Sequence, residues 1–259
     1  MNRQHALWMP CFVLASLCQI GCAMDAGGDE AEDISQTQQD AMTSNGLTSN
    51  GLTSNGLTSN GLTSNGLTSN GLTSNSLVMN TLISDPKARE VLSYIVSCAL
   101  PANDYIDLTI NGTPQRYYGG LGIAPEWHKG AGSCNEACQF AVSSCVMARV
   151  NYLGQQVEIS MRGGPTHLGP DNRQELNTYT EREAAYFGNI FRNPEELFFC
   201  LPAGEYSLPR VCGPFIYDCA LKYVGSCNCA VDNNGYGEYD ICDFPGHPDV
   251  SPITVFLRP

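Results

Sequence analysis

Between Asp232 and Asp243 the chain reads Asp-Asn-Asn-Gly-Tyr-Gly-Glu-Tyr-Asp-Ile-Cys-Asp. Side-chain oxygens stand at Asp232, Asn234, Asp240 and Asp243, and Gly237 permits a sharp turn. Oxygen donors at alternate positions of one loop are what a hard cation such as calcium requires. The competing reading is an acidic, turn-rich hairpin held by Cys229 and Cys242. Cys227, Cys229, Cys242 and His247 offer thiolates and an imidazole, the ligands that zinc prefers. An oxidising compartment would instead turn the same thiols into disulfides. Glu126, Glu136, Glu158, Glu175, Glu181 and Glu183 supply carboxylates. Two of them ~5–10 Å apart could hydrolyse a glycoside. Aromatic residues interleaved with Gly and acids occur twice, running to Trp127 and around Tyr236 and Tyr239. Trp127, Tyr236 and Tyr239 are candidates to stack on a sugar, and core packing is the other use of such rings.

The Asp232–Asp243 stretch resembles the twelve-residue calcium loop of the EF-hand at its positions 1, 3, 6, 9 and 12. It departs at Tyr236, where a ligand oxygen is expected, and Asp243 is shorter than the usual Glu. Gly132-Ser133-Cys134 ahead of a helix resembles the nucleophile segment of papain-type proteases, and the likeness ends at Asn135-Glu136-Ala137. The sequence contains no Gly-x-Ser-x-Gly elbow, no His-Glu-x-x-His and no phosphate-binding glycine loop.

The chain has 259 residues, of which 13 are Cys, and a net charge of −13. That charge repels phosphate backbones and excludes a nucleic-acid partner. The charge is segmented. Residues 22–42 carry six acids and no base, residues 43–82 no charge, and residues 83–259 twelve bases and 20 acids. Ahead of them, Ala6–Gly21 is almost wholly apolar behind Arg3. Its sixteen residues rise ~24 Å as helix, too short for a membrane span and suited to a signal peptide. Gln19-Ile20-Gly21-Cys22 resembles the lipobox of bacterial lipoproteins, which implies lipidation of Cys22 and a membrane anchor. Ordinary cleavage after Ala23 and secretion is the alternative. If Cys22 takes lipid, ten Cys remain: 98, 134, 138, 145, 200, 212, 219, 227, 229 and 242. Ten is even, so five bridges can close.

Thr43-Ser44-Asn45-Gly46-Leu47 is repeated six times without change to Leu72, followed by two altered copies to Leu82. Leu every five residues lands ~140° apart on a helix and on alternate faces of a strand, so neither element gains a buried face. The period is similar to that of pentapeptide-repeat β-helices, but Asn45 and Gly46 occupy the wrong places. The segment is expected to be a flexible linker, spanning ~45 Å with the acidic tether.

Residues 83–259 are expected to form a single disulfide-rich α+β domain. Pro86 opens a helix that Pro101 stops, with Asp85 as its cap. Asn111-Gly112 marks a hairpin. Ser133 and Glu136 predict a helix running to about Tyr152, stopped by Gly154, with Cys134, Cys138 and Cys145 on one face. Val157, Ile159 and Met161 alternate as a strand, as do Ile253, Val255 and Leu257. Thr180 with Glu183, and Asn193-Pro194, predict two short helices. Together these readings give a surface-tethered bacterial lipoprotein of the outer membrane or cell surface, whose domain binds an extracellular ligand such as a glycan. A carboxylate hydrolase and a structural surface protein are the alternatives.

Overall fold

The computed structural model describes residues 86–259 except 128–133, 153, 155, 193 and 220. The signal segment, Cys22, the repeat, Asp85 and Ser133 lie outside the described residues.

Helix α1 (Pro86–Ala99) presents Ala88, Val91, Leu92, Ile95 and Val96 to the core at helical spacing. The hairpin β1 (Tyr105–Ile110) and β2 (Thr113–Tyr118) turns at Asn111 and Gly112. Both take positive φ, 52° and 78°, which a two-residue turn matched to strand twist demands. Helix α2 (Glu136–Ala148) is capped by Asn135, whose side chain accepts from the Cys138 amide at 3.0 Å. It ends earlier than the sequence suggests. Arg149 and Val150 donate to carbonyls three residues back, which tightens the turn and closes the helix. The three cysteines do not form one stripe: Cys134 precedes the helix and bonds Cys138, while Cys145 bonds Cys98 of α1.

Five strands form the central sheet in the order β3-β10-β4-β5-β6: β3 (Ser160–Gly163), β10 (Ile253–Leu257), β4 (Glu181–Asn189), β5 (Glu196–Leu201) and β6 (Lys222–Ser226). Only the β5–β6 pair is parallel. The helices expected near Thr180 and Asn193 are instead strands β4 and β5. Ala184 to Ile190 is buried without interruption, so β4 shows no alternation by which to recognise it. The short helix here is α3 (Arg173–Thr178), capped by Asn172.

Alternation splits the sheet into two faces. Met161, Ala184, Tyr186, Phe199, Ile253 and Val255 belong to the main core with α1 and α2. Ala185, Phe187 and Cys200 face a three-stranded sheet of β7 (Cys229–Val231), β8 (Tyr239–Phe244) and β9 (His247–Val250). There Phe187 stacks on Phe244, with centroids 4.6 Å apart. Disulfides Cys98–Cys145, Cys134–Cys138, Cys200–Cys227, Cys212–Cys219 and Cys229–Cys242 join all ten cysteines of residues 83–259. Among the described residues no helix is long and apolar enough to cross a membrane.

Candidate functional site

The β7–β8 hairpin separates the four oxygen residues of the calcium reading. Cys229 pairs with Cys242 and Val231 with Tyr239, so Asp232 sits at the turn and Asp243 at the far end of β8. Five strand residues put them roughly 15 Å apart, too far to share one cation. The turn closes on itself. Asp232 Oδ1 accepts from the Asn234 amide at 3.0 Å, and Asn234 Oδ1 from the Tyr236 amide at 2.8 Å. Asn234 Nδ2 donates to Glu238 Oε1.

Two arginines occupy the inner side of that turn. Arg162, on β3 and 2% exposed, donates to Tyr236 O and Tyr179 O, both at 2.7 Å, and to Ser160 Oγ at 2.9 Å. Its guanidinium lies 4.0 Å from the Phe256 ring centroid. Burial pushes its pKa down, and the charges of Glu175 and Glu238 oppose that. Arg182 donates to Gly237 O and lies over the Tyr239 ring. The turn therefore receives its positive charge from guanidinium groups rather than leaving its carbonyls open to an ion.

The cysteines of the zinc reading are in disulfides. Among the described residues, the one cluster of three metal-ligating types is Cys200, Cys227 and Cys229, and all three are bridged. His247 packs on the Phe198 ring, with centroids 4.7 Å apart. Bridged Cys134 has no thiol with which to attack a substrate. The three aromatic candidates do not form a face. Trp127 is 1% exposed and meets Phe191 edge-on, Tyr239 is buried beneath Arg182, and only Tyr236 reaches solvent.

What does come together is a cleft of about 620 Å³ between the start of β4 and the loop that follows β5. Glu181, Glu183 and Glu205 line it, with Tyr152, Arg182 and Arg210. Glu183 and Arg210 form its base. Arg210 Nη2 lies 2.8 Å from Glu183 Oε2, and the Arg210 amide donates to Glu183 Oε1 at 2.7 Å. Arg210 also donates to the Ala148 carbonyl at 3.0 Å, which ties the loop to the end of α2. Burial disfavours the Arg210 charge, and the Glu183 carboxylate beside it more than restores it, so its pKa is raised. Tyr186 donates to Glu183 from full burial, which lifts its phenol well above the ordinary value. Glu205 accepts from the Tyr206 and Ser207 amides at 3.0 and 2.8 Å, and these bonds hold its carboxyl low.

Aromatic rings stand on the rim and on the same loop. Tyr152 lies against Gly213, where an added Cβ would sit 2.7 Å from its ring. Between Cys212 and Cys219, Phe215 and Tyr217 stack nearly parallel at 5.1 Å while 54% and 76% exposed. Of these rings Tyr152 lines the cleft, and a ring beside carboxylates and guanidinium groups suits a ligand with apolar C–H faces and many hydroxyls. Of the carboxylates expected from sequence, Glu181 and Glu183 line this cleft. Glu158 pairs with Arg258, Glu136 with Arg192, and Glu175 is buried against Ser160. Tyr152, Glu205, Phe215 and Tyr217 were not apparent from sequence. The signal for two of them is Pro214-Phe215-Ile216-Tyr217, an apolar run inside a disulfide loop too short to bury it.

Comparison with known proteins speaks only to the repeat. Residues 42–63 and 56–83 match the GLTT repeat family, with six copies. No curated protein matches the chain. No solved structure matches it either.

Proposed function

We propose that the domain is an extracellular ligand-binding module, that its ligand is a glycan, and that the cleft beside Tyr152 holds it. The chain is exported, lipidated at Cys22, and carried off the membrane by the acidic segment and the repeat. Five disulfides favour an oxidising compartment for the folded part.

The observation that carries the binding reading is the placing of exposed, stacked rings on the loop that walls a polar cleft. The same cleft suits binding better than hydrolysis. A glycosidase needs one carboxyl kept protonated by a raised pKa. Glu183 is committed to Arg210, and backbone donors hold Glu205 low. Neither group is placed to deliver a proton.

Affinity electrophoresis of the disulfide-bonded chain through gels containing neutral and acidic polysaccharides tests this reading. At least one polysaccharide should retard the native chain and not Tyr152→Ala. Retardation by none, or release of reducing ends from the retarding polysaccharide, contradicts it. Metabolic labelling with a fatty acid tests the anchor: label should enter the native chain and be absent from Cys22→Ala.

A further inference from the structure

A second groove, of about 550 Å³, runs between α1 and β2. Arg89, Ser93 and Ser97 fall at successive turns of α1 along one wall, and Arg116, Tyr117 and Tyr118 of β2 form the other. Arg149, at the end of α2, closes the floor. It is fully buried and donates through Nη1 to Ser97 Oγ at 2.9 Å. Three guanidinium groups and one acid, Glu90, line this groove, with Asp107 paired to Arg116, in a segment that carries twelve bases and 20 acids. Arg116 is positioned by a two-pronged bond to Asp107, at 2.7 and 2.8 Å, and by stacking over Tyr105.

The second observation is Tyr117. It is 4% exposed, and its buried hydroxyl has no hydrogen-bond partner among the described residues. An unmatched buried hydroxyl is costly, and native structures keep few of them outside functional sites. Arg89 is close enough for its charge to act on that hydroxyl. Tyr117 packs its ring into the main core and also lines the groove with Arg89, Arg116 and Arg149.

We propose that this groove binds an oxyanion: the sulfate, phosphate or carboxylate group of a small ligand. The planar fork of arginine matches paired oxygens of all three. Arg89 meets the anion from the α1 wall, Arg116 faces it from the β2 wall with its Nε and Nη2 held by Asp107, Arg149 supplies buried positive potential, and the Tyr117 hydroxyl gains an acceptor. The site is separate from the cleft beside Tyr152 and does not depend on the glycan reading.

Calorimetric titration of the full disulfide-bonded chain at low salt, with inorganic sulfate, inorganic phosphate and glucuronate in separate runs, tests it. At least one should bind saturably. Arg89→Gln should weaken that binding at least tenfold and Tyr117→Phe several-fold, with melting temperatures unchanged and Tyr152→Ala without effect. Preference for sulfate or phosphate identifies a tetrahedral anion, and preference for glucuronate an acidic sugar. Saturable binding by none of the three overturns the proposal. So does binding that both Arg89→Gln and Arg116→Gln leave within twofold, since it would lie elsewhere.

Discussion

Two disulfide-closed loops of this domain dispose of their side chains against expectation. The loop between Cys229 and Cys242 is rich in Asp, Asn and Tyr, yet its polar atoms bond one another and its carbonyls bond Arg162 and Arg182. The loop between Cys212 and Cys219 is apolar, yet it holds Phe215 and Tyr217 in solvent. The tip of the first loop is exposed at Asn234 and Tyr236, so its Asx bonds set the shape of the turn, while its inner carbonyls at Tyr236 and Gly237 are taken by the arginines beneath. In the second loop a disulfide can keep the rings outside. The first loop packs against the core at Tyr239 and the second leaves two rings in solvent.

Replacing Arg162 by Met should have the largest effect. It leaves the Tyr236 and Tyr179 carbonyls and the Ser160 hydroxyl without their buried donor, which costs about 3–5 kcal/mol in all. For a domain of this size that is a fall of roughly 10–15 °C in melting temperature. A fall under ~3 °C would mean that the hairpin does not depend on its arginine. Opening the bridges sharpens the contrast. Cys229→Ser with Cys242→Ser should cost about 3 kcal/mol, and Cys212→Ser with Cys219→Ser about 2.5 kcal/mol, from loop closure alone. Ligand affinity should fall only in the second pair, measured under conditions where both variants remain folded.

Tyr152→Ala should lower affinity about tenfold, equivalent to ~1.4 kcal/mol, and leave stability within about 0.5 kcal/mol. The loop beside the cleft should also respond to acid. The Glu205 carboxyl titrates below its ordinary 4.5 because it accepts two amides. A group depressed on folding stabilises above its unfolded pKa and loses that contribution as pH falls through the folded value. The protection factors of the Tyr206 and Ser207 amides, corrected for intrinsic exchange, should therefore fall below about pH 4 and stay constant from pH 5 to 7. Calcium should do least. A bound ion at ~100-fold its dissociation constant adds ~2.7 kcal/mol, whereas here the melting temperature should move by less than about 1 °C. A shift of several degrees, lost in Asp232→Ala, would show that the hairpin opens to take the ion.

The elements that were legible in the sequence are those whose signals are local. Pro86 and the apolar spacing of α1, Asn111-Gly112 between β1 and β2, and the alternation of β10 all act within a few residues. Strand β4 was not legible, because a central strand buried on both faces carries no period. The hairpin form of Asp232–Asp243 was not legible for a related reason. Oxygen spacing along a chain resembles a cation loop whether the backbone wraps or runs as a hairpin, and Arg162 and Arg182 come from strands 74 and 55 residues away in sequence. The cleft draws on Tyr152, Glu183 and Arg210, which only the packing of β4 and α2 against the loop brings together.

The most direct measurement is calorimetric titration of the retarding polysaccharide, or an oligosaccharide cut from it, into the native chain, Tyr152→Ala and Asp232→Ala. Binding at the cleft predicts about a tenfold loss for Tyr152→Ala and affinity within twofold of native for Asp232→Ala. The reverse order, with Asp232→Ala abolishing binding and Tyr152→Ala leaving it intact, would return the ligand site to the β7–β8 hairpin and contradict the division between the two loops.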